Sequence, residues 1–295
     1  MKILITGASG YLGSHLSKKL VADGHTVILL LRETSSLARL SSFSNDCLIE
    51  RYSNLSQIYN IIERINPEIV IHAACLYGRN EESIHDLLEA NLLFGIKIIE
   101  AIIKLNLSIK FINTDTCLPK NLNRYALSKA QFAEWGRSLA MNDTSITFIN
   151  VFLQTVYGPG DDLSKLPSYI VHSCCENVVE LKLSAGLQLR DFIYIDDVTS
   201  AYLLLIKNIC NFESFVEIPL GTGESVSVKE FVETARRLTS SSTNLLFGAM
   251  PTRKNEPKEC VADIKLMCSL GWAPKFSLVE GLKEMIRCEL NMVKK

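Results

Sequence analysis

Two residues one helical turn apart carry the most distinctive chemistry in this chain. Tyr125 and Lys129, in Tyr125-Ala-Leu-Ser-Lys129, open a segment whose polar and apolar residues alternate with helical period as far as Met141. On a helix they share a face. An ammonium beside a phenol lowers the phenol pKa from its usual ~10 towards neutrality, which makes a usable proton donor or acceptor. A second cluster lies near the N-terminus, in Thr6-Gly7-Ala8-Ser9-Gly10-Tyr11-Leu12-Gly13. The apolar run Ile3-Leu4-Ile5 precedes it, and Leu12, Leu16, Leu20 and Val21 follow at helical spacing. A strand that turns into a helix through glycines presents the unpaired N–H groups and dipole of the helix to an anion. Gly7 can take a turn conformation closed to residues with a Cβ. Gly10 leaves room for a pyrophosphate at the backbone, and Gly13 lets the helix pack close to the strand. Ser9, Tyr11 and Leu12 complete the loop and are expected to line the same dinucleotide.

A third position selects between cofactors. Residues 27–31 are all apolar and read as a second buried strand. The end of that strand, ~20 residues past the glycines, is where a carboxylate would hold the ribose of NAD. Arg32 stands there instead. A guanidinium can pair with a 2′-phosphate, so NADP(H) is expected, with NAD(H) kept possible by the neighbouring Glu33.

These groups need a scaffold, and the hydrophobic pattern supplies one. Residues 47–50 read as a third strand. Ile58, Ile61, Ile62 and Ile65 form a helical face that Asn66-Pro67 closes. Residues 69–74 are a fourth strand ending in Ala73 and Ala74, small enough for a cofactor to lie across the strand end. His72 in that strand reads as structural. Residues 83–106 form one long helix, apolar on more than one face and so buried on two sides. Asn91 is the odd polar residue in it, expected close to the site and assigned to the cofactor. Residues 109–113 and 146–151 give a fifth and a sixth strand. Strands that alternate with helices in this way imply an α/β fold, a doubly wound parallel sheet of the Rossmann type. Residues 178–183 read as a further strand, and a final amphipathic helix starts near Ser277.

Composition bounds the class. The chain has 295 residues, 47% of them apolar, enough for a large α/β domain with a smaller partner. The formal net charge of −1 suggests neither a nucleic acid nor an anionic membrane as partner. No apolar run reaches the ~18 residues of a membrane span, and no signal-peptide architecture opens the chain. The nine cysteines are scattered, with no C-x-x-C, which fits reduced thiols, a cytoplasmic location and no metal site.

The motifs together resemble the extended short-chain dehydrogenase/reductases, in their nucleotide-sugar epimerase, dehydratase and reductase branch. The matching stretches are TGASGYLG, HAA at His72, YALSK at Tyr125, VYGPG ending at Gly160, Arg190-Asp-Phe-Ile-Tyr-Ile-Asp-Asp197, GTGESVSV from Gly221, and Leu270-Gly-Trp272. They span essentially the whole chain. Within the branch, AACLYGR at Ala73, LPKNLNRYA before Tyr125 and GLQLRDF are most similar to the CDP-paratose and CDP-abequose synthases, NADPH-dependent reductases of CDP-linked sugars. The resemblance implies a discontinuous division: residues 1–156 and 188–221 bind the dinucleotide, while 157–187 and 222–295 form a substrate lobe. It implies that Thr114, in Thr114-Asp115-Thr116, completes the catalytic set with Tyr125 and Lys129, and that Lys129 also binds the nicotinamide ribose. Arg190 matches an arginine that meets the sugar-nucleotide diphosphate, with a salt bridge to Asp191 as its plain alternative. Arg253 is a second candidate for the diphosphate. Asp115 and Thr116 are placed beside the sugar, Asp115 either as a hydroxyl acceptor or as a structural residue. Asp196-Asp197 is expected to cap the following helix. A family arginine that often follows the sixth strand is missing, since Phe152-Leu153-Gln154 stands there.

The activity so implied is NADPH-dependent reduction of a nucleotide-linked 4-keto-deoxyhexose at C4, with a CDP-sugar favoured, in the synthesis of bacterial polysaccharide sugars. An NAD-retaining 4-epimerase would use the same residues. A non-catalytic NADP-binding sensor is the reading from another class, and such proteins tend to lose the Tyr or Lys that this chain keeps. Dehydratases of the branch carry Thr-Asp-Glu where this chain has Thr114-Asp115-Thr116. The absent carboxylate argues against 4,6-dehydration, because a threonine hydroxyl is a poor base near pH 7. The branch pairs its long helices across a two-fold axis, which implies a homodimer.

Overall fold

The computed structural model describes residues 1–79 and 81–293. The chain divides into two compact units, Met1–Phe152 with Tyr202–Ile218, and Leu153–Ala201 with Pro219–Lys295.

The first unit is built on a seven-stranded sheet. Its strands are β1 (Lys2–Thr6), β2 (Thr26–Arg32), β3 (Leu48–Tyr52), β4 (Ile69–His72), β5 (Ile109–Thr116), β6 (Ile146–Leu153) and β7 (Phe215–Leu220), in the order β7-β6-β5-β4-β1-β2-β3. The pairs β1–β2, β1–β4, β2–β3 and β4–β5 are parallel. β1 lies between β2 and β4, so the strand order reverses there. That reversal is the point where doubly wound sheets open a crevice at their carboxyl ends. The strands are near-continuous apolar runs because both faces are covered: Ile3, Leu4, Ile5, Val70, Ile71, Phe111 and Ile112 are all fully buried.

Helices α1 (Tyr11–Ala22) and α2 (Ile58–Ile65) follow β1 and β3. All four isoleucines of α2 are buried, and Asn66 ends the helix in the left-handed conformation (φ 46°) ahead of Pro67. The single helix expected over residues 83–106 is a composite: α3 (Ile84–Leu88), a π-helical turn (Glu89–Leu93) and α4 (Phe94–Lys104). Ser83 and Asp86 cap its start reciprocally. The wide turn surrounds Asn91, whose buried amide bonds outside the helix. A widened turn at such a residue is a recurrent feature of functional sites. Helix α5 (Arg124–Asn142) packs against α4, and Gly95 is needed there because a Cβ would enter the ring of Phe132. β5 runs three residues beyond the strand expected from the sequence, so Thr114, Asp115 and Thr116 are all on it.

The second unit carries α6 (Leu166–Cys175). Helix α7 (Ile195–Lys207) begins in this unit, and its residues from Tyr202 belong to the first. Helices α8 (Val228–Thr239), α9 (Lys265–Ser269) and α10 (Leu278–Val293) complete the unit, and α6, α8 and α10 pack on one another. Three small sheets accompany them. Thr155–Tyr157 pairs parallel with Phe192–Tyr194, and Glu180–Leu183 parallel with Asn244–Phe247. Leu189–Arg190 lies between an antiparallel Val226–Ser227 and a parallel Glu259–Cys260. A buried carboxylate ties this last sheet to its loops. Asp191 accepts the N–H and hydroxyl of Thr222 at 2.8 and 2.7 Å, Gly223 N–H at 3.0 Å and Ala262 N–H at 3.2 Å. Asp197 does not cap its own helix as expected. Its carboxylate takes the N–H groups of Lys275 and Phe276 at 2.9 and 3.0 Å, and so fixes the segment that enters α10. No helix among the described residues is long and apolar enough to cross a membrane.

Candidate functional site

The glycine turn and the end of β4 meet at the sheet's reversal point. Gly7 has φ +66°, and a Cβ on it would stand 2.6 Å from Ala74 N and 2.7 Å from the carbonyl carbon of Ala73. Both its conformation and its surroundings therefore demand glycine. A Cβ on Gly13 would enter the Gly7 carbonyl, so α1 rests directly on the turn. Gly10 closes that turn with a 2.9 Å bond from its N–H to Gly7 O. No side chain caps α1, and its first turn holds no acidic residue. The N–H groups of Tyr11, Leu12 and Gly13 are thus presented as an anion-binding end, beside Ser9. Thr6 fixes the neighbouring strand end. Its carbonyl accepts Ala73 N–H, its hydroxyl accepts Ala74 N–H, each at 3.3 Å, and the same hydroxyl bonds His72 Nδ1 at 2.9 Å. His72 itself is fully buried among Phe94, Phe111 and Phe132. Burial pushes its pKa well below the ordinary value and keeps the imidazole neutral, in a structural role.

Arg32 is exposed at the carboxyl end of β2. Arg51, on β3, donates to the carbonyls of Arg32 and Glu33 at 3.0 and 2.9 Å. A second guanidinium thus braces the segment on which Arg32 stands. Nothing in the sequence pattern marked Arg51, because only the pairing of β2 with β3 brings it there.

The catalytic candidates gather around the end of β5 and the start of α5. Asn123 caps α5 by accepting Ala126 N–H at 2.8 Å, which sets Tyr125 and Lys129 on its first turns. Lys129 is fully buried, and its ammonium has no hydrogen-bond partner among the described residues. Burial lowers its pKa, while Cys75 and Asp115 oppose that shift. Tyr125 is half-buried, with the ring of Tyr77 at 4.9 Å and the Arg79 guanidinium 5.2 Å over Tyr77 in turn. Its phenol pKa is raised well above the ordinary value, first by burial, then by Cys75, Tyr77 and Asp115, with a hydrogen bond from Thr116 pulling the other way. This corrects the expectation that Lys129 brings the phenol towards neutrality. The ammonium is itself desolvated, and the groups that act most on the phenol are ones whose charge is negative or absent.

Asp115 is buried and committed on both oxygens. Oδ1 accepts Thr116 N–H at 2.8 Å, and Oδ2 accepts Asn150 Nδ2 at 2.9 Å. Asn150 in turn accepts from Asn113 at 2.6 Å. Of the two roles open to Asp115 from the sequence, this chain of bonds favours the structural one. Thr114 is half-buried, with its hydroxyl 2.7 Å from that of Tyr202. Asn91, expected at the cofactor, makes its bonds within the protein. Its amide accepts Leu76 N–H at 2.7 Å and donates to Leu76 O and Ser128 Oγ at 2.9 Å each. Fully buried and so engaged, it braces the loop after β4 against α5.

In the second unit, Arg190 is buried and held by its own surroundings. It donates to Leu189 O at 2.7 Å and Pro257 O at 3.0 Å, and pairs with Glu256 at 2.9 Å. The alternative partner, Asp191, is occupied elsewhere. Arg253 is exposed on the same loop as Glu256. Among the described residues no group of three or more acidic, His or Cys side chains is placed to hold a metal.

A model of the NAD dependent epimerase/dehydratase family matches residues 3–216. CDP-abequose synthase of Salmonella typhimurium is 31% identical over 297 residues, covering 97% of each chain. CDP-abequose synthase of Salmonella muenchen is 32% identical, again over 97% of each. Among solved structures, UDP-glucose 4-epimerase from Thermotoga maritima superposes with a TM-score of 0.87 at 22% identity, over 99% of this chain and all of that one. That last likeness is one of fold.

The environment of Tyr125 makes a direct prediction. In the cofactor-free protein, tyrosinate absorbance compared between wild type and Tyr125→Phe should show that Tyr125 keeps its proton beyond the ordinary ~10. Lys129, shifted the other way, should lose its proton first as pH rises. A Tyr125 titration near neutral pH would show that the lysine, not burial, governs the phenol.

Proposed function

The chain belongs to the NAD dependent epimerase/dehydratase family, and on that premise we propose that it reduces a nucleotide-linked 4-keto-deoxyhexose at C4 with NADPH. The favoured substrate is of the CDP-4-keto-3,6-dideoxyglucose type, and the product serves bacterial polysaccharide synthesis. The observation that carries this reading is the half-buried Tyr125 one turn before the unpartnered ammonium of Lys129 on α5, on a fold whose glycine turn has no room for side chains.

The residues present fit a nicotinamide dinucleotide. The N-terminus of α1 with Gly7, Ser9, Gly10 and Gly13 takes the pyrophosphate. Arg32 takes the 2′-phosphate, Ala73 and Ala74 floor the strand end, and Lys129 holds the nicotinamide ribose. The bound cofactor supplies the hydride. Tyr125 gives its proton to the oxygen at C4 as negative charge develops there, and a phenol held protonated is suited to that direction of transfer. Thr114 donates a hydrogen bond to the same oxygen. Arg253, exposed in the second unit, is the guanidinium offered to the sugar-nucleotide diphosphate, and Arg190 would have to exchange its bond to Glu256 for one to the diphosphate to join it. Thr116 lacks the charge and basicity that removal of a C5 proton demands, so the protein consumes a 4-keto sugar and does not make one. The nine cysteines stand as thiols, consistent with work in a reducing cytoplasm.

The test is incubation with NADPH and a panel of CDP-, dTDP- and GDP-linked 4-keto-6-deoxysugars, followed by nicotinamide absorbance. Turnover is expected with a CDP-linked member. Tyr125→Phe should lower kcat by roughly 10²–10⁴-fold while NADPH still binds. Near-normal turnover by that variant would remove Tyr125 from the role of acid. Wild type should prefer NADPH to NADH by roughly tenfold or more, and Arg32→Asp should abolish or reverse the preference. Equal affinity of wild type for the two would remove Arg32 from the cofactor site.

We also propose a homodimer through the composite helix and α5. Leu93, Leu127 and Trp135 leave 44%, 42% and 54% of their surfaces exposed on these helices, apolar groups that a second copy would cover. Light scattering at micromolar concentration should give twice the chain mass, and a clean monomer would refute the pairing.

A further inference from the structure

We infer that Tyr202 is a positioning residue for the reaction, which sets the hydroxyl of Thr114 to donate a hydrogen bond to the reacting oxygen. The inference rests on the reductase reading above. Tyr202 sits on α7 in the portion that belongs to the first unit, and its side chain is fully buried. Among the described residues its hydroxyl has one hydrogen-bond partner, Thr114 Oγ1 at 2.7 Å.

That single bond has a preferred direction. A phenol has one proton to place, and a buried proton without an acceptor is costly. If Thr114 were the donor, the Tyr202 proton would be left in the core with nothing to receive it. With Tyr202 as donor, both groups are served. The phenol is also the stronger donor and the weaker acceptor of the two, and burial holds its pKa well above the ordinary value, so it carries its proton at any working pH.

The consequence falls on Thr114. A hydroxyl has one proton and two acceptor lone pairs. With a lone pair committed to Tyr202, its rotation is restricted and its proton is directed away from α7. Thr114 and Thr116 lie two residues apart on β5 and so on one strand face, and Thr116 is near enough to Tyr125 to act on its phenol. The proton of Thr114 is therefore offered on the side of the strand that carries the acid. As the C4 carbonyl becomes an alkoxide it gains a pre-set second donor, and donors fixed before charge develops are the effective ones. Without Tyr202 the hydroxyl is free to rotate, and part of that preorganisation is lost.

A double-mutant cycle tests this. Tyr202→Phe keeps the ring and removes the donor; Thr114→Val keeps the shape and removes the hydroxyl. With NADPH and the 4-keto substrate, Thr114→Val should lower kcat by about 10²-fold and Tyr202→Phe by about tenfold, with KM for NADPH unchanged in both. The double variant should be no slower than Thr114→Val alone. Effects that multiply in the double variant would show Tyr202 acting through packing and overturn the inference, as would a wild-type kcat in Tyr202→Phe. Thermal melts of the same proteins read the pair without substrate. Thr114→Val should lower the Tm by orphaning the phenol, and adding Tyr202→Phe should restore part of that loss; additive losses would also overturn it. A wild type inactive on the whole sugar panel would defeat the reductase reading, while the melts still decide the pair.

Discussion

The first unit depends on a close approach that admits no side chain. The turn after β1 must pass within contact distance of the backbone at the end of β4, and α1 must rest on the carbonyl of that same turn. Gly7 and Gly13 make this possible, one by conformation and one by size. Once the turn is set, Thr6 can bond both Ala73 and Ala74 and hold His72 in a fixed tautomeric environment. The loop that leaves Ala74 then carries Cys75 and Tyr77 to Tyr125. The glycine turn and a tyrosine nearly 120 residues later are thus parts of one construction.

The site uses buried polar groups that are almost fully satisfied. Asn91 ties the loop after β4 to α5, and Asp115, Asn150 and Asn113 bind β5 to β6. These bonds hold the strand end from which Thr114 and Thr116 project. Lys129 is the one charged group left out, beside the unpaired Nε2 of His72 and Oδ1 of Asn113. Its ammonium is buried without a hydrogen-bond partner among the described residues, on the same helix face as Tyr125, and an unpaired buried charge of this kind marks a candidate functional group. In the second unit Asp191 has the complementary part: a lone carboxylate gathers four donors from two loops, while the adjacent Arg190 is held by Glu256 and two carbonyls.

Much of this was legible in the sequence because it rests on period and punctuation. The glycine spacing between an apolar run and a helical stripe, the four isoleucines ahead of Asn66-Pro67, and Tyr125 one turn before Lys129 are local patterns, and local patterns survive in one dimension. What was not legible comes from pairs distant in the chain. Tyr202 reads only as an apolar-face residue of α7, and nothing near it announces Thr114. Asn91 stood out as polar in an apolar helix, but its partners, Leu76 and Ser128, come from a loop and another helix. The phenol pKa was misjudged for the same reason: the lysine four residues away was visible, whereas burial and the groups from the loop after β4 were not. Glu256 gave no sign at all of its bond to Arg190.

The widened turn at Glu89–Leu93 bears on how the long helix tolerates change. A π turn holds one more residue than an α turn, so α3 is rotated by about 100° relative to an uninterrupted helix continuing from α4. One rod thereby faces two ways: Ile98, Ile99 and Ile102 fill the core beneath the sheet, while Leu87 and Asn91 turn towards the loop after β4 and α5. Such a phase shift is sensitive to length in a way that composition does not reveal. Within that turn, exchanging one side chain for another alters a contact, whereas losing one residue re-indexes a whole face.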